Sequence, residues 1–281
     1  MTEKKTLFAG VVGDPITHSL SPALHGYWLK KYKINGDYSA FHVPADKLPE
    51  FIANLKENNL RGVNLTVPHK ENALDLVDRV EPEAQKIGAI NTVYFDREGK
   101  LIGTNTDGYG FLKHLKQTIP DWRSPNKIGV VLGAGGAARA VIVSLLEEGI
   151  SEIRLCNRTI LRAEKLADDI ADKRIKVTRW EDREDALCDA NLVVNVTTLG
   201  MTGQRPLDID LEKLPIDAVV YDIVYNPIET DLLKNAKSRG NRTVDGLGML
   251  LHQAAPGFEK WFGKIPEVDA ALAHYLLGKL K

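Results

Sequence analysis

Residues 127–140 read KIGVVLGAGGAARA, and this stretch decides the fold. An apolar run, 128–132, drops into glycines and then into alanines. A continuous apolar run of that length is the pattern of a buried parallel strand, and the alanines suit a helix. Gly133, Gly135 and Ala138 fit the G-x-G-x-x-G/A spacing. The first glycine makes the turn, and the second lets backbone approach a pyrophosphate. The third small residue lets the helix pack close to the strand. A helix beginning there offers phosphates its unpaired N–H groups and the positive end of its dipole.

The next segment selects the nucleotide. Residues 152–156, EIRLC, form a second short strand that runs into Asn157, Arg158 and Thr159. An NAD-binding fold usually carries an acidic residue there, to accept from the ribose 2′-OH. Here the position holds Arg158, with Arg162 a helical turn further on. Two guanidinium groups suit a 2′-phosphate, as charge and as hydrogen-bond forks. The expected cofactor is therefore NADP rather than NAD.

Outward from this core, strand and helix alternate. Downstream, the pattern gives helices over 137–148, 161–171 and 230–238, and strands over 176–179, 192–195 and 218–223. Residues 243–244 form an edge strand. Upstream, strands over 7–12, 37–44 and 61–67 alternate with helices over 23–32 and 48–58, the signature of a mostly parallel sheet. Ser21 reads as a helix N-cap, followed by Pro22 at the first helical position. Ser19 and Ser21 could serve as cap chemistry or bind a carboxylate. His18 and His25 are assigned no catalytic role. Helices over 249–262 and 268–280 lack strand partners and are expected to fold back on the first half.

Polar residues interrupt the upstream strands. Asn64 and Thr66 stand two apart and so share a face. Lys70 follows just past that strand, on the side where open α/β sheets bind ligands. Apolar runs over 87–93 and 101–107 are broken by Asn91 and Thr92, then by Asn105 and Asp107. A buried unpaired amide costs a few kcal/mol, so these residues need partners. Three such interruptions in one half of the chain argue for a shared polar pocket.

Composition excludes several classes. At 281 residues and net charge −1, the chain has no basic surplus for nucleic acid or an anionic membrane. No apolar run approaches the ~18 residues that span a bilayer, and the N-terminal apolar stretch is too short for a signal peptide. The two cysteines, Cys156 and Cys188, form no C-x-x-C pair, so neither a metal site nor a redox motif is expected. A cytoplasmic location follows as the expectation.

Taken in order, the motifs resemble the shikimate dehydrogenase family. They are HSLSP (18–22), GVNLTVPHK (62–70), AINT (89–92), TNTDG (104–108), GAGGAAR (133–139), NRT (157–159), YDIVYNP (221–227) and DGLGMLLHQ (245–253). They cover nearly the whole chain. The resemblance implies an NADP-dependent oxidoreductase of aromatic amino acid biosynthesis that interconverts 3-dehydroshikimate and shikimate. It implies Lys70 and Asp107 as the catalytic pair. Ser19, Ser21, Asn64, Thr66, Asn91, Tyr225 and Gln253 would contact the substrate beside them. Gly133, Ala134, Gly135, Gly136 and Ala137 would cradle the pyrophosphate. Asn157, Arg158, Thr159 and Arg162 would hold the 2′-phosphate side, with Ile223 and Gly246 towards the nicotinamide. The architecture implied is α/β in two domains. Residues 1–112 with 247–281 would bind substrate, and residues 113–246 would form a Rossmann-like NADP domain, the two ligands meeting in the cleft between. Gly26, where asparagine is frequent, and His69, where an aromatic is common, depart from the family pattern. A quinate/shikimate dehydrogenase of broader use and an NADPH-binding regulator without turnover stay open as alternatives, and so does a homodimer.

Overall fold

The computed structural model describes residues 6–280. They form two compact units, one running to Asp107 and resuming at Leu251, the other spanning Gly108–Leu250. Among the described residues no helix is long and apolar enough to cross a membrane.

The first unit holds a six-stranded sheet: β1 (Leu7–Gly13), β2 (Gly36–His42), β3 (Leu60–Leu65), β4 (Arg79–Val80), β5 (Thr92–Phe95) and β6 (Leu101–Thr104). Their order is β2-β1-β3-β5-β6-β4. All neighbours are parallel except β5, which runs antiparallel to both β3 and β6. Helices α1 (Ser21–Lys31), α2 (Leu48–Ala53) and α3 (Pro82–Ile87) lie along the chain between these strands. The carboxyl ends of β1 and β3 therefore lie side by side, where the loops carrying Ser19 and Lys70 begin.

Further on come α4 (Asp107–Thr118), α8 (Leu247–Phe262) and α9 (Ala270–Leu277). The last part of α8 returns to the first sheet. Phe258 and Trp261 are fully buried with Trp28, and Trp261 Nε1 donates to the Val93 carbonyl at 2.9 Å. Gly62 makes this approach possible. It sits at φ +149°, and a Cβ there would lie 2.1 Å from the Val93 oxygen and 2.4 Å from Trp261 Nε1. The segment leading into α9 is tied to α1 by Trp28 Nε1, which donates to the Glu267 carbonyl at 2.9 Å.

Three expected elements differ. Residues 87–91 are not strand: α3 ends at Ile87, Gly88 caps it at φ 70°, and β5 begins only at Thr92. Proline at the start and glycine just past the end mark this short helix. Helix α2 stops at Ala53 rather than near 58, and Asn59 takes a left-handed φ of 57°. The N-cap of α1 is Leu20 and not Ser21, which lies inside the first turn. Ser19 Oγ accepts from the Ser21 N–H at 3.3 Å instead.

The second unit holds β7 (Ile128–Leu132), β8 (Glu152–Asn157), β9 (Ile175–Arg179), β10 (Leu192–Asn195), β11 (Val219–Asp222) and β12 (Arg242–Val244), with α5 (Gly136–Glu147), α6 (Ile160–Ile170) and α7 (Asp231–Arg239). The order is β12-β11-β10-β7-β8-β9, all parallel. That is the doubly wound order, with its switch point between β7 and β10, where such sheets bind ligands. Val130, Val131 and Leu132 of β7 are fully buried, as a central strand covered on both faces must be.

Candidate functional site

In the first unit the polar interruptions of the strands meet. Lys70, just past β3, donates from Nζ to Asp107 Oδ2. Both side chains are largely buried. Asp107 Oδ1 accepts from Asn91 Nδ2 at 2.8 Å, and the Asp107 N–H donates to Asn105 Oδ1 at 3.0 Å. Asn91 Nδ2 also lies 3.3 Å from Gln253 Oε1, and the Thr106 hydroxyl donates to the Gln253 carbonyl at 2.8 Å. A buried ion pair survives only when its remaining lone pairs and protons are met. Here the Asn91 amide meets the carboxylate oxygen that Lys70 leaves free, and Asn105 Oδ1 accepts from the backbone N–H of Asp107.

The loops that carry these groups are fixed in turn. The Ile90 N–H donates to the Lys70 carbonyl at 2.7 Å, binding the lysine loop to the segment before β5. Asn105 Nδ2 donates to the Ala89 carbonyl at 2.8 Å. His69 is buried, and its Nε2 donates to the Val43 carbonyl at 2.8 Å, a structural use of the departure seen in the sequence. Burial holds the His69 imidazole below its ordinary range. Asn64 is buried and spends its amide hydrogens on the Asn91 carbonyl at 3.1 Å and Thr92 Oγ1 at 2.9 Å. Thr66 lies beyond β3, its N–H donating to the Val12 carbonyl at 2.9 Å. Ser19 and Ser21 stand at the entrance of α1. Tyr225 belongs to the second unit, half-buried past the end of β11.

The turn after β7 has the form its glycines require. Gly133 takes φ +116°, and a Cβ there would lie 2.9 Å from Thr197 Cγ2. A Cβ on Gly135 would meet nothing within 4 Å, so that backbone faces open space. Helix α5 starts at Gly136, and the N–H groups of its first turn have no intrahelical partner. Beyond β8, Arg158, Thr159 and Arg162 are exposed, and Asn157 Nδ2 donates to the Thr159 carbonyl at 2.8 Å. An open cavity of about 480 Å³ is lined there by Asn157, Arg158, Ile160, Glu164, Arg179 and Trp180, among others. Arg179 and Trp180 escaped the sequence reading, though the register sets Arg179 directly beside Asn157.

Ile223 and Gly246 come together: a Cβ on Gly246 would lie 2.1 Å from the Ile223 carbonyl oxygen. Next to them is a residue that the sequence reading passed over. Asp222 is fully buried at the end of β11 and accepts from Asn195 Nδ2 (2.9 Å), the Thr230 hydroxyl (2.7 Å) and the Val224 N–H (3.0 Å). Burial pushes its carboxyl up to about 6 against the pull of these three donors. An acidic residue inside an apolar strand was the available signal.

Residues 11–93 match the shikimate dehydrogenase substrate binding domain, and residues 115–201 match shikimate / quinate 5-dehydrogenase. Residues 246–273 match the shikimate 5′-dehydrogenase C-terminal domain. A shikimate dehydrogenase (NADP(+)) of Rhodospirillum rubrum is 50% identical over 282 residues, covering 99% of this chain and 100% of the relative. A solved shikimate dehydrogenase in complex with NADP+ superposes with TM-score 0.90 at 36% identity, covering 100% of this chain and 98% of that one. The Thermus thermophilus enzyme in complex with NADP(H) and shikimate gives 0.84 at 37%, covering 98% and 100%.

Proposed function

The chain belongs to the shikimate dehydrogenase family: it is an NADP-dependent oxidoreductase interconverting 3-dehydroshikimate and shikimate, and we propose that Lys70 and Asp107 are its acid–base pair. The observation that carries the proposal is the buried Lys70–Asp107 pair, held by Asn91 and Asn105 at the carboxyl side of the first sheet. We assign substrate to the first unit and NADP to the second.

NADPH, when bound, supplies the hydride that reaches the ketone carbon. As the C=O bond becomes C–O, negative charge grows on the oxygen, and a cation beside it lowers the barrier. Lys70 donates to that oxygen and gives it a proton. In the reverse direction the amine takes the hydroxyl proton. Asp107 aims the ammonium and balances its charge, while Asn91 donates to the carboxylate and the Asn105 side chain anchors the Asp107 backbone N–H. Ser19 and Ser21 hold the substrate carboxylate, and Thr66, Asn91, Tyr225 and Gln253 hold its hydroxyls or carboxylate. Asn64 sets the wall of this pocket.

The second unit fits a dinucleotide phosphate. Open space over Gly135 and the free N–H groups of α5 suit the pyrophosphate. Arg158, with Arg162 nearby, suits a 2′-phosphate, with Asn157 and Thr159 shaping that end. Ile223 and Gly246 would lie against the nicotinamide. We place the enzyme in the cytoplasm, which suits its two free cysteines.

The test follows NADPH absorbance with 3-dehydroshikimate, then 3-dehydroquinate, then NADH in place of NADPH. Oxidation of NADPH with 3-dehydroshikimate, and little with NADH, is expected. Binding of NADPH without its oxidation would leave a regulator and no dehydrogenase.

A further inference from the structure

A single line of hydrogen bonds runs from the core of the first unit to Asp107. Tyr38, on β2, is 4% exposed, and its hydroxyl lies 2.6 Å from Asn64 Oδ1. Asn64 Nδ2 lies 2.9 Å from Thr92 Oγ1, and that oxygen lies 2.9 Å from Asn91 Oδ1. Asn91 Nδ2 then reaches Asp107 Oδ1 at 2.8 Å.

The direction of each bond is determined. Backbone groups cannot swap donor for acceptor. The Asn91 carbonyl only accepts, so the Asn64 atom 3.1 Å from it must be the amide nitrogen. The Thr106 N–H only donates, so the Asn91 atom 2.9 Å from it must be Oδ1. With both amides fixed, the two hydroxyls have no choice. Tyr38 donates to Asn64, Asn64 to Thr92, Thr92 to Asn91, and Asn91 to Asp107. Lys70 donates to the other oxygen of the same carboxylate. Donors aligned in a row polarise one another, most strongly where water is excluded.

Helix α8 braces the line at both ends. Its Gln253 meets Asn91, and its Phe258 and Trp261 surround His25, whose ring stacks on Tyr38 at 3.8 Å. Thr92 is 0% exposed, and its single proton is spent on Asn91. Neither hydroxyl is available to a substrate.

We infer that Tyr38 and Thr92 are positioning residues for the reaction, acting through Asn64 and Asn91 to hold the Asp107 carboxylate where it aims Lys70. The inference rests on Lys70 and Asp107 being the acid–base pair.

Steady-state kinetics on Tyr38→Phe, Thr92→Val, the double variant and Thr92→Ser test it, with Lys70→Ala measured beside them. Each of the first two keeps side-chain volume and removes one hydroxyl. Each should lower kcat about tenfold, the factor for ~1.4 kcal/mol of lost transition-state stabilisation, with KM for NADPH held within about twofold. The double variant should fall no further than the worse single one, because both break one line, whereas independent sites would multiply. Thr92→Ser, which keeps the hydroxyl, should recover most of the loss. Single variants that retain kcat, multiplying effects, or a serine variant as slow as the valine one would each overturn the inference. If Thr92→Val fails to fold, Tyr38→Phe decides, since it leaves the ring and its stack on His25 in place. Full kcat in Lys70→Ala would instead remove the acid–base reading beneath, so the two failures are told apart.

Discussion

At the scale of single residues, Lys70 and Arg158 do opposite kinds of work. The Lys70 side chain is largely buried and engaged by a carboxylate. Replacing it by alanine takes away the proton donor and leaves Asp107 buried without its cation. Lys70→Ala should lower kcat by ~10²-fold or more, the scale of a positioned acid–base group. KM for 3-dehydroshikimate should move less, since Ser19, Ser21 and Gln253 remain. Arg158 is exposed and its guanidinium is offered to a ligand. Arg158→Ala should weaken NADPH roughly 10- to 100-fold, as one charge-assisted hydrogen bond is worth about 1.5–3 kcal/mol. NADH has no 2′-phosphate to lose, so its KM should hardly change. Equal losses for both cofactors would sink the 2′-phosphate assignment. The Arg158 reading was available from the sequence because one position after a strand carries it. The line from Tyr38 to Asp107 was not, since it joins residues 26, 28, 1 and 16 positions apart along the chain.

Elements were legible where packing repeats a pattern. The central strands β7, β10 and β11 of the second unit are buried on both faces, so each is a mostly apolar run, and 192–195 matches β10 end to end. Helix α3 was hidden because six residues are too few to display a 3.6 period, and its apolar end, Ile87, ran into the apolar residues that precede β5. The meeting of α8 with β3 and β5 hangs on a residue with no side chain. Gly62→Ala would need a conformation that L-residues rarely adopt, and would push a methyl group into the Val93 carbonyl and the Trp261 indole. Strain and overpacking each cost about 1–3 kcal/mol. Urea unfolding should show a loss of at least ~2 kcal/mol with an unchanged m-value. A stability equal to wild type would mean that α8 can shift off the sheet without cost.

Across the whole molecule, the buried His25 of one unit and the buried Asp222 of the other should respond to acid with opposite sign. His25 is wholly buried among Trp28, Tyr38, Phe258 and Trp261, and burial lowers its pKa to about 3. Below pH 6.5 the unfolded chain takes up a proton that the folded first unit refuses, so stability is lost as pH falls from 6.5 towards 3. By pH 5 that loss is about 2 kcal/mol. Asp222, in the second unit, is raised by burial to about 6. Its folded form holds a proton that the unfolded chain releases down to pH ~4, so stability is gained as pH falls through 6, by roughly 1 kcal/mol at pH 5. His69 in the first unit and His114 in the second are both lowered by burial, so each adds an acid loss to its own unit. Limited proteolysis at pH 5 should therefore cut within residues 6–107 before 108–250. His25→Phe keeps an aromatic ring on Tyr38 and removes the titration, so its urea midpoint should fall less between pH 7 and 5 than that of the wild type. Asp222→Asn should fall more. Parallel losses in all three proteins would mean that neither buried group governs the acid response, and that the ion pairs of the surface do.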